Sequence, residues 1–148
     1  MRVVIQCVKS SNVIINNKIN GQIDKGYTIL VGFTHDDTKE IIDKMITKIV
    51  NLRVFTDEND KMNLSINDVN GSILSISQFT LYADTKKSRR PSFSNALEYN
   101  KASEYYDYFN EELAKHVHIE KGIFGADMTV NIENDGPCTI IIDSKTDL

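Results

Sequence analysis

Gly26 to Phe33 reads Gly-Tyr-Thr-Ile-Leu-Val-Gly-Phe, a nearly continuous apolar run of strand length. A strand that is apolar on both faces has to be covered on both, so it belongs inside a sheet with packed layers on either side. The flanking segments supply those layers. Arg2 to Val8 alternates as a strand, and Asn12 to Ile23 holds two apolar-polar stretches about Asn16-Asn17, a turn-forming pair that predicts a hairpin. Thr34 to Thr38 offers several N-caps, and Ile41, Ile42, Met45, Ile46, Ile49 and Val50 then recur at the 3.6-residue period, predicting a helix that ends near Asn51. Leu52 to Phe55 is short and apolar, and the turn cluster Asp57 to Asp60 leads to Lys61–Leu64. Gly71 to Tyr82 reads as another strand. Ala102, Tyr105, Tyr106, Phe109 and Leu113 mark a second helix, with an aromatic stripe that reads as core rather than as a platform for bases. Two final strands, Met128 to Ile132 and Cys138 to Asp143, flank Glu133 to Pro137, a turn by composition.

The order of strands and helices excludes a simple βα repeat and predicts an α+β fold, a β-rich core covered by two helices, with a pattern compatible with closure into a barrel. With 148 residues, 41% of them hydrophobic, the chain suits one domain over residues 1–148. No apolar run approaches the roughly 20 residues of a membrane span, and the first residues alternate like a strand rather than a secretion signal, so the expected location is the cytoplasm. Cys7 and Cys138 are expected as reduced thiols. The three histidines lack metal-helix spacing, no Cys-x-x-Cys pair is present, and neither a metal nor a cofactor is expected.

A net charge of −4 argues against indiscriminate coating of nucleic acid, so any RNA contact has to be local. Lys86-Lys87-Ser88-Arg89-Arg90 is the segment that qualifies; its bland alternative is a solvated basic loop. Ser77-Gln78-Phe79-Thr80 places hydroxyls and an amide where a buried strand wants apolar groups, and such groups need partners. In a regular strand Gln78 and Thr80 share one face and Ser77 takes the other, so the three converge only if the strand bends. No His or carboxylate stands beside them in sequence, so no Ser-His-Asp triad is argued. A second candidate is Asn134-Asp135-Gly136-Pro137-Cys138-Thr139, although a Gly-Pro pair is ordinarily only a turn.

These two segments together resemble the signature motifs of D-aminoacyl-tRNA deacylases. Met1 to Gln6, Leu30-Val31-Gly32, Lys86-Lys87 with Arg90-Pro91-Ser92-Phe93, and Phe124-Gly125-Ala126-Asp127-Met128 resemble that family's other landmarks in order along nearly the whole chain. The resemblance implies hydrolysis of the ester linking a D-amino acid, and glycine as well, to tRNA, without a cofactor. It implies catalytic roles for Ser77, Gln78, Phe79 and Thr80, and tRNA contacts from Lys86, Lys87, Arg89 and Arg90. It further implies a homodimer in which Gly136 and Pro137, joined by a cis bond, enter the other subunit's site and reject L-aminoacyl groups through backbone carbonyls. Backbone N–H groups near Phe79 and Thr80 are the expected oxyanion donors; the nucleophile is either Thr80, which has no visible base, or a positioned water, the preferred choice, with the RNA's own 2′-hydroxyl as a candidate helper. Three positions depart from the family pattern: Cys7 stands for Arg, Ser88 for Gly and Cys138 for Val, and the first removes the side chain expected to support the Gly-Pro loop. The competing reading is a non-catalytic RNA-binding module that uses the same basic loop.

Overall fold

The computed structural model describes residues 1–86 and 88–148. The elements are β1 (Arg2–Ile15), β2 (Lys18–Ile23), β3 (Gly26–Gly32), α1 (Lys39–Val50), β4 (Phe55–Thr56), β5 (Met62–Leu64), β6 (Ser72–Ser77), a 3-10 turn (Phe79–Tyr82), α2 (Tyr99–Leu113), β7 (His118–Lys121), β8 (Thr129–Asp143) and α3 (Ser144–Asp147). The apolar run of β3 is central as its sequence demands: it pairs antiparallel with β1 on one edge and parallel with β6 on the other. The sheet runs β2-β1-β3-β6-β7, and β8 joins the opposite edge of β1. It also curls. Asn20 of β2 donates its side-chain amide to the Lys121 carbonyl of β7 at 2.9 Å, which brings the two ends of the path together into a nearly closed barrel.

Alternation sorts the strand residues between two cores. Val3, Ile5, Tyr27, Ile29, Val31 and Ile73 face the larger one, against α1 and α2, while Val8, Val13, Ile23, Leu74 and Ile76 face the smaller one inside the curl. Thr38 caps α1 by accepting from Ile41 N, and Glu98 caps α2 by accepting from Asn100 N and Lys101 N. The aromatic stripe of α2, Tyr105, Tyr106 and Phe109, is buried core. Tyr106 also donates to the Ser75 carbonyl at 2.7 Å, which ties α2 to β6.

The architecture is the α+β arrangement expected, with several local differences. The strand at Arg2 to Val8 and the first arm of the hairpin are one continuous strand, because two register shifts beside Val8 let β1 bend without ending. Asn16 and Asn17, at φ 50 and 61, close the hairpin as the left-handed pair that such a turn needs. The strand expected to reach Tyr82 stops at Ser77 and turns into the 3-10 segment. The two final strands are one, β8, interrupted by an excursion rather than a turn. The four-residue strand β7 and the short α3 have no counterpart among the sequence expectations, since neither is long enough to show a period.

Candidate active site

Where β6 ends, the chain changes direction and so gathers the first motif. Gln78 N donates to Val31 O at 2.7 Å, the last backbone bond of the parallel pair, and Leu81 N and Ala83 N then close the 3-10 turn onto Gln78 O and Thr80 O. The bend puts Gln78 and Thr80 side by side: Gln78 Nε2 donates to Thr80 Oγ1 at 2.6 Å. Gly32 packs beneath this turn so closely that a Cβ there would lie 2.9 Å from Gln78 O. The Phe79 and Thr80 N–H groups, first in the turn, have no protein acceptor among the described residues. Among those residues Thr80 Oγ1 has no base within hydrogen-bond reach either; its partner is the Gln78 amide.

Ser77, Gln78 and Phe79 line a cavity of about 680 Å³. Its other walls come from Val31 to Phe33 at the end of β3, from Phe93 and Ala96 to Tyr99 leading into α2, and from Phe124 to Met128 ahead of β8. Phe33, Phe79, Phe93, Tyr99 and Phe124 bring aromatic rings to the lining. Phe79 meets Phe93 edge-on at 4.9 Å, and Tyr99 meets Phe124 edge-on at 5.1 Å. Gly125, at φ +73, sits under Tyr99, where a Cβ would come 2.4 Å from the phenol oxygen. Two carboxylates belong to the lining: Glu98, committed to capping α2, and Asp127, which is exposed. Phe93, Tyr99 and the run from Phe124 to Met128 were not among the expected site residues. Their signal was present in the sequence, since Phe93 and Phe124 to Met128 belong to family landmarks, but the fold alone brings segments so far apart along the chain to one wall.

A flap carries Lys86, Arg89 and Arg90 beyond the bridge between Asp84 and Ser92. Asp84 and Ser92 exchange two backbone bonds at 2.8 Å each, and Thr34 Oγ1 donates to Asn95 O while Leu97 N donates to Phe33 O, which roots the flap beside β3. Lys86, Arg89 and Arg90 are exposed and form no ion pair among the described residues; Lys87 lies outside them. Through Phe93 on Phe79, the flap that carries these cations touches the first motif directly.

Gly136 and Pro137 are placed apart from that cavity. Gln6 pairs with Thr139 and Val8 with Asn134, so the four residues Asp135 to Cys138 bulge out opposite Cys7 alone. The Gly136–Pro137 bond is cis, Gly136 has φ +115, and both residues are exposed. Within the chain β1 and β3 separate β8 from β6, about 14 Å across the sheet, and the register adds about 13 Å along it. The base of the bulge is closed without an arginine at position 7. Asn134 Nδ2 donates to Cys7 O and to Cys138 O at 2.9 Å each, and Gln6 Nε2 reaches Asn134 Oδ1 at 3.3 Å and Thr139 Oγ1 at 3.4 Å. Burial first, and then the neighbouring Cys138 thiol, push the Cys7 thiol up to about 12. It is thus a neutral packing group under the loop.

Among the described residues no three His, Cys, Asp or Glu side chains gather as metal ligands, and no helix is long and apolar enough to cross a membrane. Among solved structures, one described as c-Myc DNA Unwinding Element Binding Protein matches with a TM-score of 0.92 and 37% identity, over 97% of this chain and 98% of that one. Another, described as a probable eukaryotic D-amino acid tRNA deacylase, shares the fold at a TM-score of 0.83 and 17% identity, over 95% and 97% of the two chains. The family model for D-Tyr-tRNA(Tyr) deacylase matches residues 4–143, and the chain therefore belongs to that family of hydrolases.

Proposed function

We propose that this protein removes D-amino acids, and glycine, from tRNA by hydrolysing the ester at the terminal ribose, with two subunits contributing to each site. The observation that carries the reading is the bend after Ser77, which leaves the Phe79 and Thr80 N–H groups unpartnered beside an aromatic cavity. The terminal nucleoside enters that cavity, where Phe79, Phe93, Tyr99 and Phe124 present ring surfaces of the kind on which unstacked bases pack. Phosphates of the acceptor end meet Lys86, Lys87, Arg89 and Arg90 on the adjoining flap. The ester carbonyl then lies at the turn. A water attacks its carbon, the oxyanion that develops accepts from the Phe79 and Thr80 N–H groups, and collapse breaks the bond to the ribose oxygen, which takes up the proton the water gives up as the free amino acid leaves. Preorganised donors of this kind are worth about 3 kcal/mol each. Gln78 holds the Thr80 hydroxyl, which fits an orienting role better than that of a nucleophile with no base.

Chirality is assigned to Gly136 and Pro137 of a second subunit. Their separation from Ser77–Thr80 within one chain supports a crossed arrangement, since one subunit cannot bring the two motifs together. So does β8, whose outer edge is unpaired among the described residues and which exposes 63% of Ile141. Carbonyls of Gly136 and Pro137 hold the substrate's α-amine. A D side chain then points outward and an L side chain is driven into protein, whereas glycine has nothing to exclude.

Deacylation of matched D-, L- and glycyl-tRNA tests the reading, with release from the D- and glycyl-forms and not the L-form expected. The basic flap and the name of the 37%-identical neighbour favour a second reading, nucleic-acid binding without turnover. Affinity for tRNA with no release of any amino acid would select it.

A further inference from the structure

We infer that Arg2 is a positioning residue for the deacylation, holding the turn whose N–H groups face the ester; this rests on the site proposed above. A four-residue 3-10 turn does little to hold itself. Its closing bond from Leu81 N to Gln78 O is long, at 3.3 Å, and 3-10 geometry is poorer than that of an α-helix. The direction of the Phe79 and Thr80 N–H groups therefore depends on what grips the turn from outside. At its entry the grip is the bond from Gln78 N to Val31 O at 2.7 Å. At its exit it is Arg2, whose Nη1 donates to Leu81 O at 2.6 Å.

The guanidinium is itself fixed. Its Nε and Nη2 both donate to Asp143 Oδ2, at 2.9 and 2.7 Å, on the strand residue directly opposite in the register. Asp143 Oδ1 in turn accepts from Lys145 N at 3.0 Å, and Asp143 N donates to Asp147 Oδ2 at 2.7 Å, so α3 holds the carboxylate by one bond and the backbone that carries it by another. The guanidinium carbon also lies 4.9 Å from the centroid of the buried Tyr82 ring, the last residue of the turn. A planar fork can serve carboxylate, carbonyl and ring together, which a lysine ammonium cannot. Among the described residues Arg2 does not line the cavity, and its hydrogen bonds and ion pair go only to Asp143 and Leu81 O, so its effect on the reaction passes through the backbone of the turn.

The test is steady-state deacylation of D-aminoacyl-tRNA by the full chain and its Arg2→Met variant. Expected is a loss of about tenfold in kcat with KM unchanged within about twofold, because the cavity and the basic flap stay intact. Arg2→Ala should regain turnover when free guanidinium is added well below unfolding concentrations, while the parent gains nothing. Should Arg2→Met fail to fold, Arg2→Lys keeps charge and stem and should still lose kcat. Parent protein that releases no amino acid overturns the reading of the site itself. An active parent beside a variant of equal kcat, or a loss carried by KM without guanidinium rescue, overturns the role of Arg2 alone.

Discussion

Gly125→Ala is the change that most directly probes the aromatic cavity. At φ +73 an alanine sits in the left-handed region, which costs about 1–2 kcal/mol. Its Cβ would stand 2.4 Å from Tyr99 Oη and 3.1 Å from two ring carbons, so the Tyr99 ring has to leave. With Tyr99 63% exposed, the ring can swing into solvent, and the further cost is its edge-on packing with Phe124, about 0.5–1.5 kcal/mol. The total, about 1.5–3.5 kcal/mol, predicts a melting temperature lower by about 3–14 °C for a chain of this size. A wall of the nucleoside site moves with the ring, and the absence of base-aromatic stacking worth at least about 1 kcal/mol should raise KM for D-aminoacyl-tRNA by about fivefold or more. Thermal unfolding and steady-state deacylation read the two effects separately. Removing the ring by Tyr99→Ala abolishes the clash, so the double variant should be more stable than the sum of the single changes predicts. A KM that stays put while stability falls as calculated would refute the cavity as the nucleoside site. Strict additivity would rule out the clash.

Four further outcomes are expected. Neutralising Lys86, Lys87, Arg89 and Arg90 should weaken tRNA binding and flatten its salt dependence by roughly 0.7–0.9 in log-log slope for each phosphate no longer neutralised; an unchanged slope returns the flap to solvent. Thr80→Ala should keep measurable turnover, because the hydroxyl is held by Gln78 and no base is in reach, and isolation of a covalent aminoacyl-Thr80 species would contradict this. Gly136→Ala, whose Cβ would lie 2.8 Å from Cys138 N at a φ of +115, should damage D-specific hydrolysis. Mixing it with a chain whose Ser77–Thr80 turn has been inactivated by substitution should restore one intact site per exchanged dimer, and exchange without recovery argues against the crossed arrangement. Native protein treated with iodoacetamide near pH 8 should be spared at Cys7, since only the thiolate reacts, and the unfolded chain should be modified there. The folded value of about 12 lies above the reference of 9.0, so the stability tied to the neutral Cys7 thiol is complete below pH 9 and lost as pH rises towards 12, which a melting series over that range would detect.

Periodicity and turn chemistry determined the larger elements. The two-faced apolar run had to be a central strand, the 3.6-residue repeats had to lie against it as α1 and α2, and Asn16-Asn17 had to reverse the chain. The motifs were legible as well, because Ser77 to Thr80 and Asn134 to Thr139 carry polar and Gly-Pro residues that a plain strand does not want. What no local pattern contains is the direction of the chain after Ser77. That depends on Gly32 lying close beneath Gln78 O and on Arg2, at the far end of the chain, reaching Leu81 O. The same holds at Gly136-Pro137, which read as a turn between two strands and is a bulge inside one, because β1 pairs with β8 on both sides of it. The absence of an arginine at position 7 looked like a missing support, yet the base is closed by Asn134 through bonds to two backbone carbonyls, which a sequence does not display. Local propensity acts over a few residues and is written in the chain. The aromatic cavity is assembled from segments around residues 33, 79, 93–99 and 124–128, and only long-range packing decides that they meet.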